Sequence, residues 1–314
     1  MSDTCDELLT VRDWLRFAVS RFNAAGLAYG HGTSTALDEA AFLVLSVLHL
    51  PVDALDPWLD ARLTREERQV VAAIIEARIS TRKPASYLVN AAYIRGHKFY
   101  VDERVIVPRS YIGELLADQI EGGDEAAPFV IAPQAVHRVL DLCSGSGCLA
   151  ILAALAFPQA SVDAVDISAE ALAVAKRNVA DYGLEARVRL VRSDLFSGLS
   201  TDRYDLIVSN PPYVTTAAVA AFPPEYRAEP VLAHAGGGDG LDLVHRILEA
   251  APNYLMPAGS LVMEIGTGRE RLEAARPDLP ITWLETETSS DEVLLLSAAD
   301  LLPAERASRR RKRS

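Results

Sequence analysis

The sequence predicts an α/β fold with a mostly parallel sheet that closes on an antiparallel pair of strands. Three observations carry this reading. From residue 137 onward, short apolar runs (138–142, 161–165, 187–191, 206–209, 260–265, 281–285 and 292–296) alternate with segments of helical length at 148–156, 169–182, 241–254 and 269–275. Connections long enough to hold a helix make successive strands parallel. The last two runs are separated only by residues 286–291, too short for a crossover helix, so they pair antiparallel. Finally, the first run passes straight into a glycine turn and a helix: Val139-Leu140-Asp141-Leu142-Cys143-Ser144-Gly145-Ser146-Gly147-Cys148.

The segment ahead of this domain reads as helical. Leu8, Val11, Leu15, Ala18 and Phe22 follow an alternating three-and-four spacing, which lays one apolar stripe along a helix. A second helix is expected over 37–49, opened by Ser34 and Thr35 and stopped by Pro51. A third opens at Thr64, where Glu67 completes a capping box, and runs to residue 79. After Pro84 the period shortens. Residues 93–101 and 105–107 read as strands around a turn at Asp102-Glu103, Pro108 ends the second strand, and Ser110 caps a helix to residue 120. Residues 121–136, rich in Gly, Ala and Pro, read as a linker. The expected organisation is a helical segment (1–83), a β-hairpin, helix and linker (84–136), an α/β domain (137–302) and a basic disordered tail (303–314).

Composition limits the function. The 314 residues carry a net charge of −12, and residues 309–313 hold five positive charges, so the rest stands at −17. A body this acidic argues against gripping a phosphate backbone, and direct DNA binding is not expected. It is compatible with a basic protein partner. Three cysteines (Cys5, Cys143 and Cys148) make no disulfide framework, and no metal-ligand set surrounds them. The N-terminus has neither a basic region nor an apolar run, and no stretch is apolar enough to span a bilayer. A cytoplasmic enzyme is expected.

The glycine turn is the first chemical signal. Gly145 and Gly147 let a ligand approach the backbone closely, and Asp166, at the end of the second α/β strand, can accept from both ribose hydroxyls of a nucleoside. Gly145-x-Gly147-x-x-Ala150 followed by Asp166 also fits a dinucleotide fingerprint, so the turn alone leaves a methyl donor and a dinucleotide both open. Asp141 shifts the balance, because an acid inside the first strand repels a pyrophosphate and suits the cationic amino-acid end of S-adenosyl-L-methionine. Asp194, after the third strand, is placed to accept from an adenine amino group.

The second signal is Asn210-Pro211-Pro212-Tyr213, directly after the fourth strand. An amide nitrogen is a poor nucleophile because its lone pair is delocalised. An enzyme that methylates one must hold it in line with an electrophilic methyl group and favour the localised lone pair. Asn210 can accept one amide N–H through its side-chain oxygen, and the Pro211 carbonyl can accept the other. Prolines carry no N–H and fix φ, which stiffens the loop. Tyr213 can cover the planar amide with its ring and exclude water. No general base and no metal are required.

Together these motifs resemble the amino-methyltransferases with an Asn-Pro-Pro-Tyr loop, and most closely the HemK-like protein-(glutamine-N5) methyltransferases. The resemblance runs from about residue 8 to about residue 302. It implies a seven-stranded, Rossmann-like class I methyltransferase sheet with an antiparallel last strand, a helical N-terminal domain that docks the protein substrate, and S-adenosyl-L-methionine as methyl donor. Val107-Pro108-Arg109-Ser110 with Glu114, the turn through Ser144, and Glu225-Tyr226-Arg227-Ala228-Glu229-Pro230 with Gly238-Asp239-Gly240-Leu241-Asp242-Leu243 are similar to the PrmB-type branch. That branch modifies the third protein of the large ribosomal subunit, so the resemblance implies that protein, or a ribosomal assembly intermediate, as partner. It also implies Arg109 and Glu114 beside the substrate channel and the 225–242 segment as a loop over the active site. Tyr111 departs from the pattern, standing where proline is expected. Methylation of peptide chain release factors and adenine-N6 methylation of nucleic acid are the competing activities.

Overall fold

The protein is described from a computed structural model covering residues 2–122, 133–200, 202–287 and 289–302. Most of the expected linker and the whole expected tail, residues 123–132 and 303–314, lie outside these. Helices α1 (Ser2–Glu7), α2 (Val11–Ala24), α3 (Ala36–Val47), α4 (Arg65–Thr81) and α5 (Ala85–Val89) open the chain. Thr64 and Glu67 form the expected capping box on α4, and Thr10 with Asp13 forms a second one on α2. Of the predicted stripe, Val11, Leu15, Ala18 and Phe22 are buried on α2 and Leu8 is buried ahead of it; with Trp14 they share a core with Ala40, Leu43 and Val44 of α3 and Val71 and Ile75 of α4.

The β-hairpin forms earlier than expected. Strands β1 (Ala92–Ile94) and β2 (His97–Phe99) pair antiparallel around Arg95-Gly96, and residues 105–107 form no strand. Arg95 and Gly96 have φ of 45° and 78°, the two consecutive positive angles that a two-residue hairpin turn of matching twist requires. That local geometry prevails over the longer apolar run, and Val105 and Val107 are buried outside any strand.

The chain divides into two compact units. The first runs to Glu103, so it includes the hairpin, and it also takes in Phe222–Glu229. The second comprises Arg104–Ala221 and the chain from Pro230 onward. Its elements are α6 (Tyr111–Gly122), β3 (Arg138–Leu142), α7 (Cys148–Ala156), β4 (Ser161–Asp166), α8 (Ala169–Asp181), β5 (Val188–Arg192), β6 (Tyr204–Ser209), α9 (Thr216–Ala220), α10 (Asp242–Ala250), β7 (Leu255–Glu264), α11 (Arg269–Ala275), β8 (Thr282–Leu284) and β9 (Val293–Ser297).

Seven strands make one sheet in the order β5-β4-β3-β6-β7-β9-β8. The pairs from β5 across to β7 are parallel, and β9 runs antiparallel to both β7 and β8, as the short connection demands. Leu140, Leu142, Ile207, Leu261 and Met263 supply the sheet's share of the core, and Val244, Ile247 and Leu248 of α10 pack on it. Among the described residues, no helix is long and apolar enough to cross a membrane.

Candidate active site

Parallel pairing brings the C-terminal ends of four strands to one edge: Leu142 pairs with Val165 and with Ser209, and Asp166 pairs with Arg192. The chain steps from β3 outward to β5, then returns to place β6 on the other side of β3. Such a reversal opens a crevice between the strand ends. A cavity of about 460 Å³ lies there, within the range of small-ligand sites, and it brings together Gly145, Asp166, Asp194, Asn210 and Pro212. Asp141, Ser144, Gly147, Pro211, Tyr213, Arg109 and Glu114 are not among its lining residues.

The turn after β3 explains part of this division. Gly145 has φ of 53°, and nothing lies within 4 Å of where its Cβ would stand, so that side is open to a ligand. Gly147 serves packing instead: a Cβ there would sit 3.1 Å from the Cβ of Ala175 on α8. Cys143 and Leu195, at the ends of β3 and β5, line the cavity with left-handed φ of 61° and 48°. For residues other than glycine this conformation costs on the order of 1–3 kcal/mol, so backbone strain gathers at the cavity wall. Burial pushes the Cys143 thiol far up and the Cys148 thiol to about 12, so neither is a thiolate at neutral pH.

Asp141 lies in β3, ahead of the turn. Its side chain is wholly buried, and Oδ2 accepts the Ala150 N–H at 3.0 Å. Helix α7 starts behind a glycine, which offers no side-chain cap to its first-turn N–H groups. The acid in β3 supplies the acceptor from beneath. Burial raises its carboxyl well above the ordinary range. Ser144 is also buried, its N–H donating to the Val165 carbonyl at 3.0 Å.

Asp166 faces the cavity while both its oxygens are oriented by the backbone. Oδ2 accepts the Gly145 N–H and Oδ1 accepts the Ser168 N–H, each at 2.8 Å. Each oxygen keeps a further lone pair, which fits the two hydroxyls of a ribose. Burial raises this carboxyl, and the backbone donors lower it in part. Asp194 is paired with Arg246 of α10, whose Nη2 reaches Oδ1 at 2.9 Å and Oδ2 at 2.8 Å. Arg246 also lines the cavity, as does Arg104, and neither stands out in the sequence.

Asn210 follows β6 directly. Its Nδ2 donates to the Arg109 carbonyl at 3.3 Å, which fixes the carboxamide and keeps Oδ1 as an acceptor. Arg109 therefore acts on the loop through its backbone, and its own Nη1 reaches the Val107 carbonyl at 3.4 Å. Glu114 sits in the first turn of α6. The Tyr213 hydroxyl donates to Glu264 Oε1 at 3.2 Å, and Glu264 Oε2 accepts from Ser110 Oγ at 2.7 Å and from the Tyr111 N–H at 3.0 Å. Sequence reasoning passed over Glu264. The available signal was an acid closing the apolar run Leu261-Val262-Met263, in the manner of Asp166 closing β4. Of the expected covering loop, Pro230, Leu232, Ala233, Ala235 and Asp242 line the cavity, while residues 225–229 belong to the helical unit.

Comparison with known proteins identifies the family. The profile of the methyltransferase small domain family matches residues 124–222. The chain is 57% identical over 295 residues to the ribosomal protein uL3 glutamine methyltransferase of Bradyrhizobium diazoefficiens, covering 94% of this chain and 92% of that one. The protein of the same name from Bordetella pertussis is also 57% identical, with 94% and 97% covered. That of Neisseria meningitidis serogroup B is 53% identical, with 97% and 98% covered. Identity at this level along nearly the whole of both chains means that the chain belongs to the family of ribosomal protein uL3 glutamine methyltransferases.

Proposed function

We propose that this chain transfers the methyl group of S-adenosyl-L-methionine to the side-chain amide nitrogen (N5) of a glutamine in ribosomal protein uL3. The observation that carries this reading is the union of two acceptors in one cavity: a carboxylate suited to a ribose, Asp166, and a carboxamide held with its oxygen available, Asn210. The methyl donor, when bound, supplies an electrophilic sulfonium methyl. The chain's own residues do the rest. Gly145 leaves the backbone accessible, Asp166 accepts from the ribose hydroxyls, and Asp194, steadied by Arg246, accepts from the adenine amino group.

Asn210 Oδ1 takes one hydrogen of the substrate amide and the Pro211 carbonyl takes the other. Held at both hydrogens, the nitrogen turns its lone pair toward the methyl group, and entropy and misalignment stop opposing the reaction. The Tyr213 ring covers the amide and excludes water. As the N–C bond forms the nitrogen's surplus proton becomes acidic; the two carbonyl oxygens hydrogen-bond it, and it passes to solvent water. The helical unit docks the protein substrate, and the acidic body of the chain suits a basic ribosomal protein, met free or in an assembly intermediate in the cytoplasm.

The test offers the purified enzyme and labelled methyl donor to uL3, to release factors and to nucleic acid. Label on one uL3 glutamine, located by mass spectrometry, is expected. An Asn210→Ala variant should lose about 100-fold or more in kcat and far less in donor affinity. Label on release factors or nucleic acid in preference to uL3 refutes the proposal.

A further inference from the structure

We infer that Glu264 is a positioning residue: with Ser110 and Gly266 it fixes the Tyr213 ring in the one placement from which it can close over the substrate amide. The inference rests on the Asn-Pro-Pro-Tyr loop being the amide-binding element. Glu264 is the last residue of β7 and is 2% exposed. Its two oxygens divide the work, Oε1 accepting from the Tyr213 hydroxyl and Oε2 from the Ser110 hydroxyl and the Tyr111 N–H. The ring itself lies against the backbone two residues on, where a Cβ on Gly266 would come within 2.5 Å of Tyr213 Cε2. The hydroxyl and one face of the ring are thus both held by the turn that ends β7.

Charge argues that this is more than packing. Among the described residues, no cation forms a salt bridge with Glu264. A buried carboxyl without a counter-charge destabilises a core that a leucine or methionine would fill better. Burial pushes its carboxyl up to about 7. Such groups gather at functional sites. The brace also extends to the other end of the loop. Arg109, through its carbonyl, orients Asn210, while the next two residues, Ser110 and Tyr111, orient Glu264. Three consecutive residues therefore set the amide acceptor and the ring in one register.

The test is a double-mutant cycle on the full-length enzyme with uL3 as substrate, reading kcat, KM and the donor Kd for Glu264→Ala, Tyr213→Phe and the pair. Glu264→Ala should lower kcat about 10- to 100-fold, with the donor Kd within about threefold of the parent. The pair should lose no more than the worse single variant, because both remove one interaction. Glu264→Gln should recover most of the loss: its oxygen can still accept from Ser110 and Tyr111 while its NH2 donates to the Tyr213 oxygen. Multiplying losses, or a melting temperature that falls while kcat stays put, overturns the inference. If Glu264→Ala does not fold, Ser110→Ala with Tyr213→Phe runs the same cycle, and coupling or additivity decides it. Asn210→Ala separates the two readings. If it keeps full kcat, the amide-binding reading fails. If it loses kcat while Glu264 and Tyr213 act independently, only the inference fails.

Discussion

At the scale of single residues, Asp166 shows how the backbone dictates which acceptor a site can use. Both of its oxygens already face N–H donors, from Gly145 and Ser168. Asp166→Asn keeps the shape but must set an NH2 group against one of those donors. The variant should bind S-adenosyl-L-methionine about 10- to 100-fold more weakly by calorimetric titration, equivalent to losing one charged hydrogen bond of ~1.5–3 kcal/mol. Unchanged affinity would remove Asp166 from the donor site. Asp141 shows the same dependence, since its Oδ2 supplies an acceptor that a glycine-capped helix lacks.

At the scale of elements, the Asn-Pro-Pro-Tyr loop is confined on several sides by chain without side chains. A Cβ on Gly236 would stand 2.8 Å from both the Pro212 carbonyl oxygen and Tyr213 Cα, and one on Gly240 would collide with the Tyr213 carbonyl oxygen. Past the loop, Val214 bridges Ala235, with the Val214 N–H on the His234 carbonyl and the Gly236 N–H on the Val214 carbonyl, both at 2.9 Å. The 234–240 stretch thus fixes the height of the loop over the cavity. Gly240 also has φ of 82°, which side chains resist. Gly240→Ala should therefore cost about 1–3 kcal/mol in stability and lower kcat by about 100-fold through displacement of the loop. Urea denaturation and steady-state kinetics check the two halves separately.

At the scale of the whole molecule, the chain leaves the catalytic unit at Ala221, spends Phe222–Glu229 in the helical unit and returns at Pro230 beside the cavity. That excursion is held by buried charge. Arg78, wholly buried, donates through Nε to Glu39 Oε1 at 2.7 Å and through Nη2 to the Ala28 carbonyl at 3.0 Å. Glu225 Oε1 lies 3.7 Å from Arg78 Nη1 and 2.7 Å from Arg82 Nη2, and accepts the Ala28 N–H at 3.1 Å. Two acids and two guanidinium groups balance, so Glu225→Ala should leave uncompensated positive charge and cost about 3–5 kcal/mol by denaturant titration.

A second molecular property is pH dependence. Burial raises the carboxyls of Glu39, Asp141, Asp166 and Glu264, the last from 4.5 to about 7. Glu264 keeps its proton in the folded chain over a range in which the unfolded chain has given it up. Between about pH 4.5 and 7 the native state therefore holds more protons, and stability falls as pH rises through that window. Glu264 alone accounts for roughly 3 kcal/mol of the fall. Denaturation midpoints should decline from pH 5 to 7.5, and Glu264→Gln should flatten the decline. A slope unaffected by that substitution would place the titration elsewhere.

Most of the fold is written in local signals. The period of the apolar runs marks the seven strands, and connection length alone requires the final antiparallel pair. The glycine turn, Asp166, Asp194 and Asn210 are legible because each follows a strand end, and parallel strands deliver their ends to one edge. What the sequence could not disclose depends on contacts across long separations. Glu264 meets Ser110 across 154 positions and Asn210 meets Arg109 across 101, and no periodicity reports such meetings. The hairpin turn was obscured because two backbone angles decided it within a longer apolar run. Tertiary structure also joins Asp141 to the Ala150 N–H and gathers Phe222–Glu229 into the helical unit, since a buried charge goes where its partners are, and those partners are set only once the chain has folded.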